Sequence, residues 1–240
     1  MARRRLQGKR QKTYYPRMQS KLLLAITLCL AILSGCSKPE PPTINLYRAV
    51  HIGDIDQIRR NLYWHAEVNK PGPDGLTPLH VAARKGSLVV IKLLLQHGAD
   101  IEAKDRRGNT PLASALLARN TLVADYLVKQ GAKLDANALL DLTVRQGKAD
   151  RDVIDFLVKQ GADLDASNDQ GNPPLHQAII GGYRVVAKYL IKKGADINAR
   201  NRDGKTPLQL ARELQRQDIE RMLRQYGAVS GSMDAADQRP

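Results

Sequence analysis

Five histidines, two cysteines and a recurring set of aspartates are the groups through which this 240-residue chain could do chemistry. His80 and His176 stand in matching contexts, Thr77-Pro78-Leu79-His80 and Pro173-Pro174-Leu175-His176, each followed two residues later by Ala. A metal site or a general base would need a second His or a carboxylate at ligand spacing, and none recurs beside them. Asp100, Asp163 and Asp196 each follow Gly-Ala. Their recurrence in equivalent turns favours a turn-building role over a catalytic carboxylate array. His51, His65 and His97 read as surface or loop residues, and His65 occupies a helix end where glycine is expected. No nucleophile elbow, phosphate loop or zinc motif is present in the sequence. The chain therefore reads as non-enzymatic, with no catalytic residue, metal or cofactor.

The elements that carry these residues are periodic. Gly98, Gly131, Gly161, Gly194 and Gly227 each precede Ala at intervals near the length of two helices plus a turn. Within Asp74 to Lys104, Asp74-Gly75 supplies a tight turn, Thr77 caps a short helix and Pro78 fits its first turn. Gly86 breaks that helix. A second helix then carries Val90, Ile91, Leu94 and Leu95 as one apolar stripe, and Gly98 ends it as a left-handed cap.

This stretch resembles a complete ankyrin repeat. The resemblance implies an all-α ankyrin-repeat solenoid of about six helix-turn-helix units with short β-hairpin fingers. It also implies that His80 and His176 form structural hydrogen bonds near the turn. The units fall near 44–73, 74–106, 107–136, 137–169, 170–202 and 203–228, within a repeat domain over 44–228, and 229–240 reads as a flexible tail. In the four inner units every stripe position of the second helix is apolar. The first unit has Gln57 and Asn61 there, and the last has Glu220 and Arg224. Complementary polar halves are what end caps require, so the pattern predicts an array complete at six units. Between Asp135 and Leu140 a finger is missing, and the loop Gly147 to Asp152 is about two residues longer than its counterparts, which predicts a gap in the row of fingers. Pro173 also replaces the capping Thr, and Ala113 stands at the position that His80 and His176 occupy in two other units.

The net charge of +14 would ordinarily suggest nucleic acid. Here residues 1–35 hold eight of the basic residues and no acid, so more than half of that excess belongs to the leader. Basic residues up to Lys21, an apolar run from Leu22 to Leu33 and then Ser34-Gly35-Cys36 reproduce a secretory signal over 1–35, with Met18 as an alternative start. Leu33-Ser34-Gly35-Cys36 is similar to the lipobox of bacterial lipoproteins. That resemblance implies lipidation at Cys36, and Ser37 after it implies the outer membrane, periplasmic face. Residues 36–43 form a lipidated, proline-rich tether. Cys29 lies in the leader and Cys36 carries lipid, which excludes thiol chemistry from the mature fold.

Family resemblance places binding on the finger tips and on the exposed side of each first helix. The finger positions are Arg106, Arg107, Asn109, Asp169, Gln170, Asn172, Arg202, Asp203 and Lys205. The helix positions are Val81, Arg84, Lys85, Ser114, Leu117, Arg145, Gln146, Gln177, Ile180, Glu213 and Leu214. Arg84, Lys85, Arg106, Arg107 and Arg145 make the first half basic, which points to an acidic patch on a partner protein. The expected role is a monomeric, lipid-anchored binder, either an immunity or inhibitor protein against a periplasmic toxin or lipase, or an accessory scaffold for a periplasmic enzyme or envelope assembly. Export separates it from nucleic acid.

Overall fold

The computed structural model describes residues 38–229. The signal segment, Cys36 and the tail beyond 229 lie outside the described residues. The chain divides after Glu40, and all twelve described helices belong to the second unit. They come in six pairs. In order they are α1 (Leu46–Ile52) and α2 (Ile55–Tyr63), α3 (Pro78–Lys85) and α4 (Leu88–Gln96), α5 (Pro111–Leu117) and α6 (Thr121–Lys129), α7 (Ala136–Arg145) and α8 (Arg151–Lys159), α9 (Pro174–Ile180) and α10 (Arg184–Lys192), α11 (Pro207–Glu213) and α12 (Gln217–Gln225).

The first helix of a pair starts where the sequence stops an extended segment. Thr77, Thr110 and Thr206 stand at N-cap positions with the side chain accepting from the third helical N–H, and Pro follows at the first helical position, where an N–H would have no partner. Each second helix buries one stripe. Val90, Ile91 and Leu94 of α4 recur as Val123, Ala124 and Leu127 of α6, Val153, Ile154 and Leu157 of α8, and Val186, Ala187 and Leu190 of α10. Small alanines on the first helices, among them Ala82, Ala83, Ala115 and Ala178, are fully buried and let neighbouring pairs stack into one continuous core.

At the far end Ile219 and Leu223 are buried while Glu220 is half-buried and Arg224 exposed, as an end cap requires. The near end differs from expectation. Gln57 and Asn61 do not face water as a plain polar cap. The Gln57 amide oxygen accepts from Thr43 N–H at 2.9 Å, and Asn61 donates to the carbonyls of Ile44 and Gln57 at 2.8 Å each. Asn61 is thereby 3% exposed with its amide satisfied, and the incoming chain covers this end.

The fingers also differ, because no strand occurs among the described residues. In the finger 105–109, Gly108 N–H donates to Asp105 C=O at 2.9 Å and Asp105 N–H to Asn109 C=O at 2.9 Å. The Asp105 carboxylate takes the N–H groups of Arg107 and Asn109 at 2.8 Å each. This side-chain turn closes within five residues and leaves no second rung for a β-ladder. Connections 64–77, 97–110, 160–173 and 193–206 each hold fourteen residues, whereas 130–135 holds six, so the fourth unit has no finger. Its inter-helix loop, 146–150, has five residues against two or three elsewhere.

Candidate protein-binding surface

Two ladders of hydrogen bonds run along the array and fix where its surface residues sit. The first uses the histidines. His80 is fully buried, its Nδ1 2.8 Å from the Thr77 hydroxyl and its Nε2 2.9 Å from the carbonyl of Asn109 in the next finger. A carbonyl only accepts, so Nε2 carries the proton. His176 reaches the Lys205 carbonyl in the same way at 2.9 Å. Ala113 occupies the matching helical position in α5 because the finger it would reach, in the fourth unit, does not exist. The fourth unit reaches forward differently: Asp141 of α7 accepts from Asn168 at 2.7 Å.

The second ladder joins neighbouring units at the base of the fingers on either side of the gap. Side-chain oxygens of Asn69, Glu102, Asp165 and Asn198 accept the backbone N–H of Asp100, Lys133, Asp196 and Val229 at 2.8 to 3.0 Å. The missing finger breaks the register, and Asn137 from inside α7 supplies the acceptor for Asp163 N–H at 2.8 Å. Asp100, Asp163 and Asp196 themselves accept the N–H two residues on, each at 2.8 to 2.9 Å, so these carboxylates build turns.

Against this frame the expected surface residues separate. Val81, Ser114 and Gln177 are each 4% exposed, because that side of the first helix is covered by the neighbouring unit and is not a free face. Asn109 is tied to the Asp105 carboxylate at 3.2 Å, and Asn172 accepts from Asn201 at 2.9 Å, so both hold fingers together. Gln170 accepts from Gln177 at 3.2 Å. Arg145 pairs with Asp141 at 3.0 Å, and Lys205 pairs with Glu213. Arg202 and Asp203 are exposed side by side with opposite charges, and Asp169 is exposed on the preceding finger. Arg84, Lys85, Arg106 and Arg107 are exposed and, among the described residues, have no ion-pair partner.

Arg84, Arg106, Arg107, Leu117, Gln146 and Lys148 line a groove of about 580 Å³. Two carboxylates also border it, and both are engaged. Burial pushes the Asp74 carboxyl up, but hydrogen bonds from Tyr47 and from Leu76 N–H outweigh this and leave it below its ordinary value. At Asp105, burial is likewise outweighed by the bonds from Asn109 and Arg107. Arg84 acts on the Asp74 carboxylate across this hollow, while Arg106, Arg107 and Lys148 face it with no carboxylate within ion-pair distance among the described residues.

A profile described as ankyrin repeats in three copies matches residues 46–138 and again 140–234. The chain belongs to the ankyrin-repeat family. Ankyrin repeats typically bind another protein. This ankyrin chain is 46% identical over 67 residues to the potassium channel KOR2 of Oryza sativa subsp. japonica, which covers 28% of the chain but only 9% of the channel. Among solved structures it is similar to the ankyrin repeat domain of Bcl-3, with a TM-score of 0.62 and 26% identity over 80% of this chain and 89% of that one. It is also similar to a chain in the complex of the predatory endopeptidase Bd0816 from Bdellovibrio bacteriovorus with immunity protein Bd3460, with a TM-score of 0.58 and 28% identity over 77% and 98% of the two chains.

Two contributors to the ankyrin surface escaped sequence reasoning. Lys148 sits in the lengthened loop of the fourth unit, a feature visible in the sequence without any sign of where its tip would point. The Tyr47 ring lies where a Cβ on Gly72 would sit, 2.2 Å away, and clamps the first finger. Burial and then the Asp74 hydrogen bond push its phenol up to about 12.

Proposed function

We infer that this chain is a non-enzymatic, monomeric ankyrin protein held at the periplasmic face of a bacterial outer membrane by lipidated Cys36. It captures another protein against its concave face, acting as an immunity or inhibitor protein toward a toxin or lipase of that compartment. The cation-lined groove carries the binding reading, since a rigid repeat backbone lowers the ordering cost of presenting Arg106, Arg107 and Lys148. Likeness to a chain from an endopeptidase–immunity complex supports the inhibitory role. Leu33-Ser34-Gly35-Cys36 supports the anchor, and an anchored binder would stand where such an effector works.

Crosslinking cells, retrieving the anchored chain and assaying every enzyme that comes with it tests the reading. Inhibition of the captured enzyme is expected. An enzyme that works better when bound would replace inhibition by an accessory-scaffold role. Arg106→Glu with Arg107→Glu should weaken capture, and equal capture would remove the acidic patch from the partner. Cys36→Ser should abolish incorporation of labelled palmitate and release the chain from membranes.

A further inference from the structure

The finger row is interrupted in the middle of the array, and its two broken ends expose main-chain groups matching those that join the fingers 168–172 and 201–205. Between the fifth and sixth units, Arg202 N–H donates to Gly171 C=O at 2.9 Å, and the Arg202 side chain lies over Gly171, 2.4 Å from a Cβ placed there. The Arg106 side chain likewise covers Gly75, 2.5 Å from its Cβ position, although there, among the described residues, no N–H reaches the glycine carbonyl. Gly108 is the matching glycine on the near side of the gap, and nothing lies within 4 Å of it; in this it resembles Gly204 on the last finger. Among the described residues no group donates to the Gly108 carbonyl, and the Asp169 N–H, which matches Arg202 N–H, donates to none. The floor between them is the start of α7, where Asn137 and Ala138 are exposed although the same stretch of α3, α5 and α9 is buried.

Resting on the protein-binding reading, the geometry points to this gap as a slot for an acidic turn of the partner protein, which takes the place of the missing finger. The Gly108 carbonyl accepts one main-chain N–H of that turn, and the Asp169 N–H donates to one of its carbonyls. Its carboxylates meet Arg106, Arg107 and Lys148, the cations of the adjoining groove that have no partner of their own. The far wall sets the direction of the turn. Asp135, Asp141, Asp163 and Asp169 border the hollow there, so the acidic residues must point toward the third-unit finger.

The test uses a short disulfide-closed hairpin peptide with a Glu-Asp-Gly turn and a second with Lys replacing both acids, each titrated into the isotope-labelled chain by NMR. Asp169→Pro removes one N–H together with a far-wall carboxylate, so its affinity is read against Asp169→Asn, which loses the carboxylate alone. The proline leaves the fold intact, because Pro73 already occupies the same turn position in the finger 72–76. The acidic peptide should shift the Gly108 and Asp169 amides, and the lysine peptide should not. Asp169→Pro, and separately Arg107→Glu with Lys148→Glu, should each weaken the acidic peptide roughly tenfold or more. Shifts located elsewhere, no binding, or unchanged affinity in both variants would overturn the slot. If the peptide fails while crosslinking still retrieves a protein, the slot is wrong and the binding function stands. If the peptide binds while crosslinking retrieves nothing, the slot stands and the capture function fails.

Discussion

Replacing one threonine by proline changes what a buried histidine can do. At His80 the Thr77 hydroxyl and N–H both face Nδ1, whereas Pro173 has neither group, and the fully buried His176 Nδ1 has no hydrogen-bond partner. Pro173 has φ −60° and ψ 158° and Thr77 has −74° and 163°, so threonine fits the same backbone. Pro173→Thr should stabilise the chain by about 1 kcal/mol, the worth of a helix cap and one buried hydrogen bond. A urea midpoint that stays put or falls would refute it. Burial holds His176 below the ordinary imidazole value of about 6.5, although the Lys205 carbonyl opposes this. The unfolded chain then takes up a proton that the folded chain refuses. This stability is whole above pH 6.5 and is lost as pH falls from there toward the folded value. Urea midpoints at pH 7.5 and 5.5 should accordingly differ less in His176→Gln than in the parent chain.

Elements end here on left-handed residues, and where glycine is absent the backbone is strained. Gly98, Gly131, Gly161, Gly194 and Gly227 have φ between 82° and 103° with nothing within 4 Å of a Cβ, while the first unit places His65 there at 55°. His65→Gly should stabilise by roughly 0.5–1 kcal/mol, and Gly98→Ala should cost a similar amount, both measured as shifts in denaturant midpoint. The fourth unit is the weak element. Of α7 only Leu140, Thr143 and Val144 are buried, against six of the seven residues of α5, and no histidine bridges into it. Amides of α7 should exchange with solvent faster than those of α5 and α9, and equal protection would contradict that view. Helix ends, the repeat interval and the absent finger were legible because Thr-Pro, Gly-Ala and connection length are local signals. The burial of Val81, Ser114 and Gln177 was not, since the neighbouring unit that covers them is distant in sequence. The β-fingers failed for a local reason: an aspartate or asparagine within each turn, Asp74 in the first and Asp105, Asn168 and Asn201 at the start of the others, takes main-chain N–H groups.

Across the whole molecule charge is uneven in pairing more than in amount. Lys193–Asp155, Lys205–Glu213 and the Arg212–Glu220–Arg224 cluster hold four cations of the second half in ion pairs, while Arg106, Arg107 and Lys148 of the groove have none among the described residues. Association with the captured partner should therefore slow several-fold as salt rises from about 0.05 to 0.3 M, and the Arg106→Glu, Arg107→Glu chain should lose much of that dependence in stopped-flow measurements. The latches at the finger bases have a genetic meaning as well. Asn69, Glu102, Asp165 and Asn198 stand one per unit, each accepting an N–H 31 residues ahead. An in-frame excision of codons 170–202 would bring Asp165 against Val229, a ready-made junction, and a duplication of the same codons would add another. Recombination can lengthen or shorten such a gene without redesign. Only a breakpoint inside the fourth unit, where Asn137 reaches Asp163 over 26 residues, would leave a donor facing no acceptor.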